Sequence, residues 1–421
     1  MGKQHWLLRV FIVLIAICHS TSLNSGTEPG RAFPDLIKAN EHFGRALLQH
    51  VHSTTPSTNV VVSPASVSVL MAAIQNSTRD EQTRKEIGTA FGWGEYPNVA
   101  IPSRMLLAAL EEPEWANRGH GAVEPYAEAV WITNVFLYRS TDSGKKLNPV
   151  SAKFRTNASK YFGIHFKALG EAKPTEAAVR TARPRTGKLP HVSNVNDAWI
   201  SSGTHLRTAW YGNTFSMSTP FHEEFVDSKG AKRQVEMLTS ELSVYPHART
   251  DRFEAVVLPA NSAYMVAILP APGVNILDLE RELAISPETL DATLKREIGI
   301  VTMPTFRIKF EKNLRAELER MGVRRVFEDL GPLFTVPNSH LTEVEQNIEI
   351  QVDKDGIHAD AETVAGVVYG GIGVGATPFH MRINHPFIFL IRENNTDALL
   401  FLGAVMDPSE SSRGEASSAA K

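Results

Sequence analysis

A single cysteine, Cys18, occurs among the 421 residues. That scarcity excludes a disulfide framework and a multi-cysteine zinc site. Because Cys18 falls inside the leader described below, the mature chain is also left without thiolate chemistry. Long apolar runs are absent too: residues 10–17, VFIVLIAI, are too short to span a bilayer, and no further apolar span follows. There is no basic excess, since 43 Lys and Arg stand against 46 Asp and Glu for a net charge of −3. Loss of Lys3 and Arg9 with the leader takes it to −5, so neither nucleic acid nor a membrane surface is an expected partner. The one basic run, Arg180, Arg183, Arg185 and Lys188, reads as a solvated loop.

What is present is an ordinary globular balance, 43 % hydrophobic and 21 % charged, which is enough for a packed core. The chain opens with a basic stretch, the short apolar run and then CHSTS, the pattern of a signal peptide cut after Ser20 or Ser22. The expected organisation is a leader at 1–22, a flexible segment at 23–34, one domain at 35–408 and a disordered tail at 409–421. The leader predicts secretion to the extracellular space. Asn76, Asn157 and Asn394 open glycosylation sequons compatible with that route.

Helical and strand periodicities are mixed along the chain, without a repeat. Leu36, Phe43, Leu47 and Val51 share one helical face, and Thr78 with Glu81 is expected to form a capping box ahead of Ile87, Ala90 and Phe91. EAVWITNVFLY, FEAVVLPANSAYMVAILP, TFRIKF, NIEIQV and HPFIFLIRE read as strands, the second as a hairpin through PANSA. Strands that do not alternate regularly with helices favour an α+β fold over a doubly wound one.

Enzyme signatures are missing. There is no nucleophile elbow and no phosphate loop, and FHEEFV carries Val226 where a second zinc histidine would be needed. Gly371, Gly373 and Ala376 imitate a dinucleotide fingerprint, but Pro378 and Pro386 leave no room for the helix that would hold a pyrophosphate. No catalysis, cofactor or metal is expected.

The segment VDKDGIHADAETVAGVVYGGIGVGATPFH, from Val352 to His380, joins opposite tendencies. Asp355-Gly356 follows the alternating strand NIEIQV and predicts a hairpin turn. Beyond it Ile357, Ala359, Ala361, Thr363, Ala365 and Val367 alternate with His358, Asp360 and Glu362, so one face is small or apolar and the other is polar. The glycines at 370, 371, 373 and 375 then favour an exposed loop. Spacing leaves two readings open: a permanent hairpin with a long tip, or a strand held in reserve.

Motifs along residues 35–408 resemble the serpin family. NVVVSPASVSVLMAA, with Asn59, Ser63, Pro64 and Ser66, is similar to the family's shutter and the helix behind it; VSNVNDAWISSGTH is similar to its central strand, with Asn196 as the shutter asparagine. MPTFRIKFEKNLRAELERMGVRRVF and HPFIFLIRENNTDALLFLGAVMDP resemble the strand–helix signature and the C-terminal signature. The resemblance implies one domain of three sheets and about nine helices, with an exposed reactive-centre loop at about 354–379. It further implies a monomeric suicide inhibitor of serine proteases. The hinge would comprise Lys354, Gly356, Ile357, Ala359, Ala361 and Thr363, and the scissile bond would lie near Gly370-Gly371 with Tyr369 beside it. Tyr369 suits a chymotrypsin-like enzyme, and Val367, Val368 and Ile372 an elastase-like one. Gln346 stands where the family has its shutter histidine. Lys354, Ile357, Asp360 and Glu362 depart from the usual hinge, which keeps a non-inhibitory carrier, chaperone or ligand-source role as the alternative.

Overall fold

In the computed structural model, the alternating segments form strands of two large sheets. The structure describes residues 29–94, 99–110, 129–142, 145–146, 149–169, 197–212, 214–215, 219–286, 288–359 and 377–409. In chain order the strands are β1 (Val60–Val62), β2 (Ala129–Arg139), β3 (Thr141–Asp142), β4 (Lys145–Lys146), β5 (Ile164–Leu169), β6 (Asp197–Ala209), β7 (Phe221–Val226), β8 (Lys232–Thr239) and β9 (Ser243–Arg249). They continue as β10 (Phe253–Pro259), β11 (Ala263–Pro270), β12 (Lys295–Pro304), β13 (Phe306–Asn313), β14 (His340–Val352), β15 (Gly356–Ala359), β16 (Phe379–Arg382), β17 (Phe387–Glu393) and β18 (Leu399–Val405).

One sheet runs β1-β18-β17-β11-β10-β9-β12-β8-β7, with β16 added to β12, and a second runs β13-β14-β15-β6-β2-β5. The pair β3-β4 stands apart. Strands β17 and β18 are buried along their whole length, which explains why HPFIFLIRE does not alternate. The hairpin through PANSA forms as expected, with Pro259 opposite Tyr264.

Helices α1 (Pro29–Thr54), α2 (Pro64–Ser77), α3 (Glu81–Ala90), α4 (Ala100–Ala109) and α5 (Ala152–Phe162) precede the second half, which carries α6 (Ile276–Ile285), α7 (Glu288–Thr293) and α8 (Arg315–Arg320). The expected apolar face of α1 is buried, and Phe43 stacks on Phe91 with ring centroids 3.9 Å apart. The helix begins at Pro29, ahead of Asp35, inside the segment expected to be flexible. α2 is buried along nearly its whole length, with Pro64 at its first turn, where a missing N–H costs nothing. A Cβ at Gly44 of α1 would fall 2.3 Å from the Pro64 ring, so glycine there lets the two helices touch.

The cap of α3 differs from expectation. Asp80 is its N-cap and accepts from Thr83 N, while Thr78 Oγ1 accepts from Asp80 N. A carboxylate nearer the helix start outcompetes the hydroxyl, because it lies close to the positive end of the helix. FHEEFV is strand β7, and among the described residues no cluster of His, Cys, Asp and Glu is arranged to hold a metal. No described helix is long and apolar enough to cross a membrane.

Candidate functional site

The hairpin expected at Asp353–Gly356 forms. Asp353 N donates to Gly356 O at 3.1 Å, and Asp353 Oδ1 accepts from the backbone N of Asp355 and Gly356 at 2.9 and 3.3 Å. Aspartate opens the turn because its short side chain can reach back to these N–H groups. Trp210, at the end of β6, holds the turn from outside through an indole N–H donated to Asp353 O at 2.7 Å.

The strand that follows is more than the arm of a hairpin. β15 pairs antiparallel with β14, Val352 opposite Ile357, and also antiparallel with β6, Thr208 opposite Ile357. It therefore fills the space between two strands that elsewhere pair directly with each other. β14 and β6 run parallel and bonded from His340 and Asp197 to Gln346 and Ser202, and no further. The sheet is closed up to that pair and wedged open above it by Gly356–Ala359.

Ile357 is fully buried on the core face, as its parity requires, which contributes about 1.5–3 kcal/mol. A Cβ at Gly356 would lie 2.2 Å from Thr208 O and 2.9 Å from Ala209 Cα, so only glycine fits where β15 enters. His358 lies on the opposite face, opposite Gln351 and Arg207, but it too is buried. Its Nε2 is 3.5 Å from Asp353 Oδ1. Parity assigned the face correctly, but exposure depends on the side chains packed over it. Burial pushes the Asp353 carboxyl up, yet contact with His358 and bonds from Asp355 N and Gln351 outweigh it, and the net direction is down. Lys354 is exposed and paired with Asp355 at 2.8 Å.

At the point where the sheet closes lies a buried polar network. Gln346 Nε2 donates to Ser63 O at 2.8 Å and Gln346 Oε1 accepts from Ser63 N at 3.0 Å. Ser63 Oγ meets Thr204 Oγ1 at 2.5 Å, and Ser66 Oγ donates to Ser63 O at 3.3 Å. These bonds tie β14, β6 and the start of α2 together directly below the wedge. Asn134, on β2, joins by donating to Ser66 O at 3.2 Å.

Sequence reasoning named Ser63, Pro64, Ser66 and Gln346, which the fold brings together. It missed Asn134, a lone polar residue between Ile132 and Phe136 on its face of β2, and Thr204, which shares its face of β6 with Ser202 and Thr208 and so carried no distinctive signal. Asn59 sits elsewhere: its Oδ1 accepts from Met406 N and Asp407 N at 2.6 and 2.9 Å, and its Nδ2 donates to Asp407 O at 2.7 Å. It fixes the chain leaving β18 instead of joining this network. Asn196, Ala361, Thr363, Tyr369, Gly370 and Gly371 lie outside the described residues, as does the basic run 180–188. Of the sequon asparagines, Asn76 and Asn157 are half-buried and Asn394 is exposed. Asn394 Nδ2 donates to Ala260 O and Asn261 O at 3.0 and 2.8 Å.

A family model described as Serpin (serine protease inhibitor) matches residues 38–408. The chain is 26 % identical over 376 residues to a "Serine protease inhibitor" of Cyanea capillata, covering 83 % of this chain and 92 % of that one. It is 25 % identical to Iripin-2 of Ixodes ricinus, with 88 % and 93 % covered. Among solved structures, human thyroxine-binding globulin complexed with its ligand superposes with a TM-score of 0.73 at 18 % identity, covering 90 % of this chain and 99 % of that one. Native protease nexin-1 with heparin superposes with a TM-score of 0.71 at 18 % identity, covering 90 % of this chain and all of the other.

Proposed function

Because the chain belongs to the serpin family, a family described by inhibition of serine proteases, we propose that it is a secreted, monomeric suicide inhibitor of elastase- or chymotrypsin-like enzymes. In this reading residues 35–408 are a single domain with the family's three sheets and about nine helices, and 354–379 are its reactive-centre loop. The observation that carries the reading is β15, which already lies between β14 and β6 with Ile357 on the core side.

The protease serine attacks a carbonyl near Gly370-Gly371, or at Tyr369 or Val368. The amine of the next residue takes up a proton and leaves, and an ester joins the inhibitor to the enzyme. The freed strand then continues from Ala359 in the register of β15. That register sets Asp360 opposite Glu349 and His205, Ala361 opposite Ile348 and Thr204, Glu362 opposite Asn347 and Gly203, and Thr363 opposite Gln346 and Ser202. Thr363 would thus arrive at the last bonded pair between β14 and β6 and part it. Ser202 Oγ, buried and without a hydrogen bond among the described residues, is placed to gain a partner there. Each added ladder bond contributes roughly 1 kcal/mol, so full insertion releases on the order of 10 kcal/mol.

Mixing the protein with elastase or chymotrypsin tests this. A denaturation-resistant adduct on a gel is the expected result. Clean loop cleavage without adduct, across several serine proteases, would favour the second reading, a non-inhibitory carrier, chaperone or ligand source. One observation keeps that reading in play: in the register of β15, Asp360 would meet the carboxylate of Glu349. Thyroxine-binding globulin, a ligand carrier by its name, is also among the fold neighbours.

A further inference from the structure

Where α1 ends, a histidine and a glutamate meet out of reach of water. His52, in the last turn of α1, places its Nδ1 2.7 Å from Oε1 of Glu280, on α6. The two side chains are 0 % and 2 % exposed. Their other polar atoms, His52 Nε2 and Glu280 Oε2, are buried and without a hydrogen bond among the described residues. No sequence motif marks the pair, whose members stand 228 positions apart.

The charges on the surrounding elements are engaged elsewhere. On α1, Arg45 pairs with Glu41, while Asp35, Lys38 and His42 are exposed and more than two turns away. His50 faces Glu317 and Arg320 of α8, whose Arg315 pairs with Glu319. On α6, Asp278 pairs with Arg281, and Glu282 with Arg252. β17 brings Arg392, paired with Glu41 and Asp397, and Glu393, which accepts from Asn395 N and Thr396 N. Arg104 of α4 is exposed over the Tyr161 ring, and β1, β18 and α2 carry no charged side chain. Burial pushes the Glu280 carboxyl up against the opposing pull of His52, and the net direction is up.

We propose that His52 and Glu280 form a buried one-proton lock between α1 and α6, which closes as the folding protein binds a proton from solvent and opens as the medium turns alkaline. A net charge so far from water is strongly disfavoured, so the pair stays neutral. Neutrality fixes its dissociable hydrogens at two: imidazolium with carboxylate, or imidazole with carboxylic acid, and either arrangement sets one hydrogen between Nδ1 and Oε1. In the unfolded chain at neutral pH the same side chains are imidazole and carboxylate, with one hydrogen. Folding therefore takes up one proton. Above the unfolded histidine value of about 6.5, the contact weakens by about a factor of ten per pH unit, until the pair gives up its proton and a buried negative charge loosens the helices. Between about 4.3 and 6.5 both states hold two hydrogens and the contact is level; below about 4.3 the unfolded chain gains a third and the contact weakens again. α1 is thus packed on α6 most firmly in mildly acidic surroundings. The lock does not depend on the inhibitory reading above.

Hydrogen exchange at the amides of α6 and of residues 48–54, in the full chain and corrected for the intrinsic pH dependence of exchange, tests this against Glu280→Gln, whose amide can still meet Nδ1 but cannot titrate. Wild-type protection should be level from about pH 5 to 6.5 and fall at least tenfold by about pH 9, while the variant stays level above about pH 6.5. Level wild-type protection across the whole range overturns the proposal. An equal fall in the variant does the same, because it places the proton elsewhere. Should the variant not fold, wild type carrying isotope-labelled histidine decides: the fall in protection must coincide with a change in the His52 ring resonances, and a fall without one overturns the proposal.

Discussion

Gln346 and Ser63 are joined at two points, the amide of one spanning the backbone N–H and C=O of the other at 3.0 and 2.8 Å. A side chain that satisfies both polar groups of a buried residue acts as a fragment of backbone, and here it fastens β14 to the start of α2. The pair sits at the boundary between the closed and the wedged part of the sheet. Replacing Gln346 with leucine leaves Ser63 N buried without that partner and Ser63 O with only the longer bond from Ser66 Oγ. The expected cost is about 2–4 kcal/mol in chemical unfolding. A loss below about 0.5 kcal/mol would mean that water or a neighbour takes over both bonds.

Gly356→Ala is the sharpest probe of the wedge. A Cβ 2.2 Å from Thr208 O collides with backbone, which cannot swing aside, so β15 must leave the sheet. The amides of 356–359 should lose exchange protection, and Trp210 fluorescence should shift as its contact with Asp353 loosens. Protection equal to wild type would show that β15 does not occupy this register in solution.

Much of this region was legible because it depends on local rules. Asp355-Gly356 after an alternating strand specifies a hairpin, and parity puts Ile357 inward whatever covers the sheet. All but one of the misses are non-local. His358 is buried because of what packs over the polar face, and Asn59 holds the chain after β18, far along the sequence. Asn134 and Thr204 become partners of Ser66 and Ser63 only after four elements converge. Thr78 lost the α3 cap to Asp80 for a local reason, a stronger acceptor two residues on.

The Asp353 carboxyl gives the turn at Asp353–Gly356 a pH dependence with a definite sign. Its ionisation is held below the ordinary carboxylate range in the folded protein, so it contributes stability above the unfolded value of about 3.9. That contribution is lost as pH falls through the folded value. Protection of the turn amides should therefore be level through neutral pH and decline in the acid range below about pH 4. In Asp353→Asn the decline should be weaker, with lower protection at pH 7. Identical acid profiles for the two proteins would remove Asp353 as the cause.

The last prediction uses the register of β15 to separate two neighbouring positions. Continued past Ala359, Ala361 falls between Ile348 and Thr204 on the core face, and Glu362 falls between Asn347 and Gly203 on the other. An arginine at 361 would enter the core face unpaired on insertion, a penalty of several kcal/mol against a drive on the order of ten. Ala361→Arg should therefore slow insertion, so that the ester to the protease hydrolyses first and the inhibitor becomes a substrate. Glu362→Arg exchanges one charge for another on the polar face and also removes a carboxylate from the vicinity of Glu349, so inhibition should persist or improve. The measurement is the number of inhibitor molecules consumed per protease inactivated, taken for both variants with one enzyme. Ala361→Arg should raise it several-fold and Glu362→Arg should not. Equal values for the two would contradict the register and, with it, the insertion of this strand between β14 and β6.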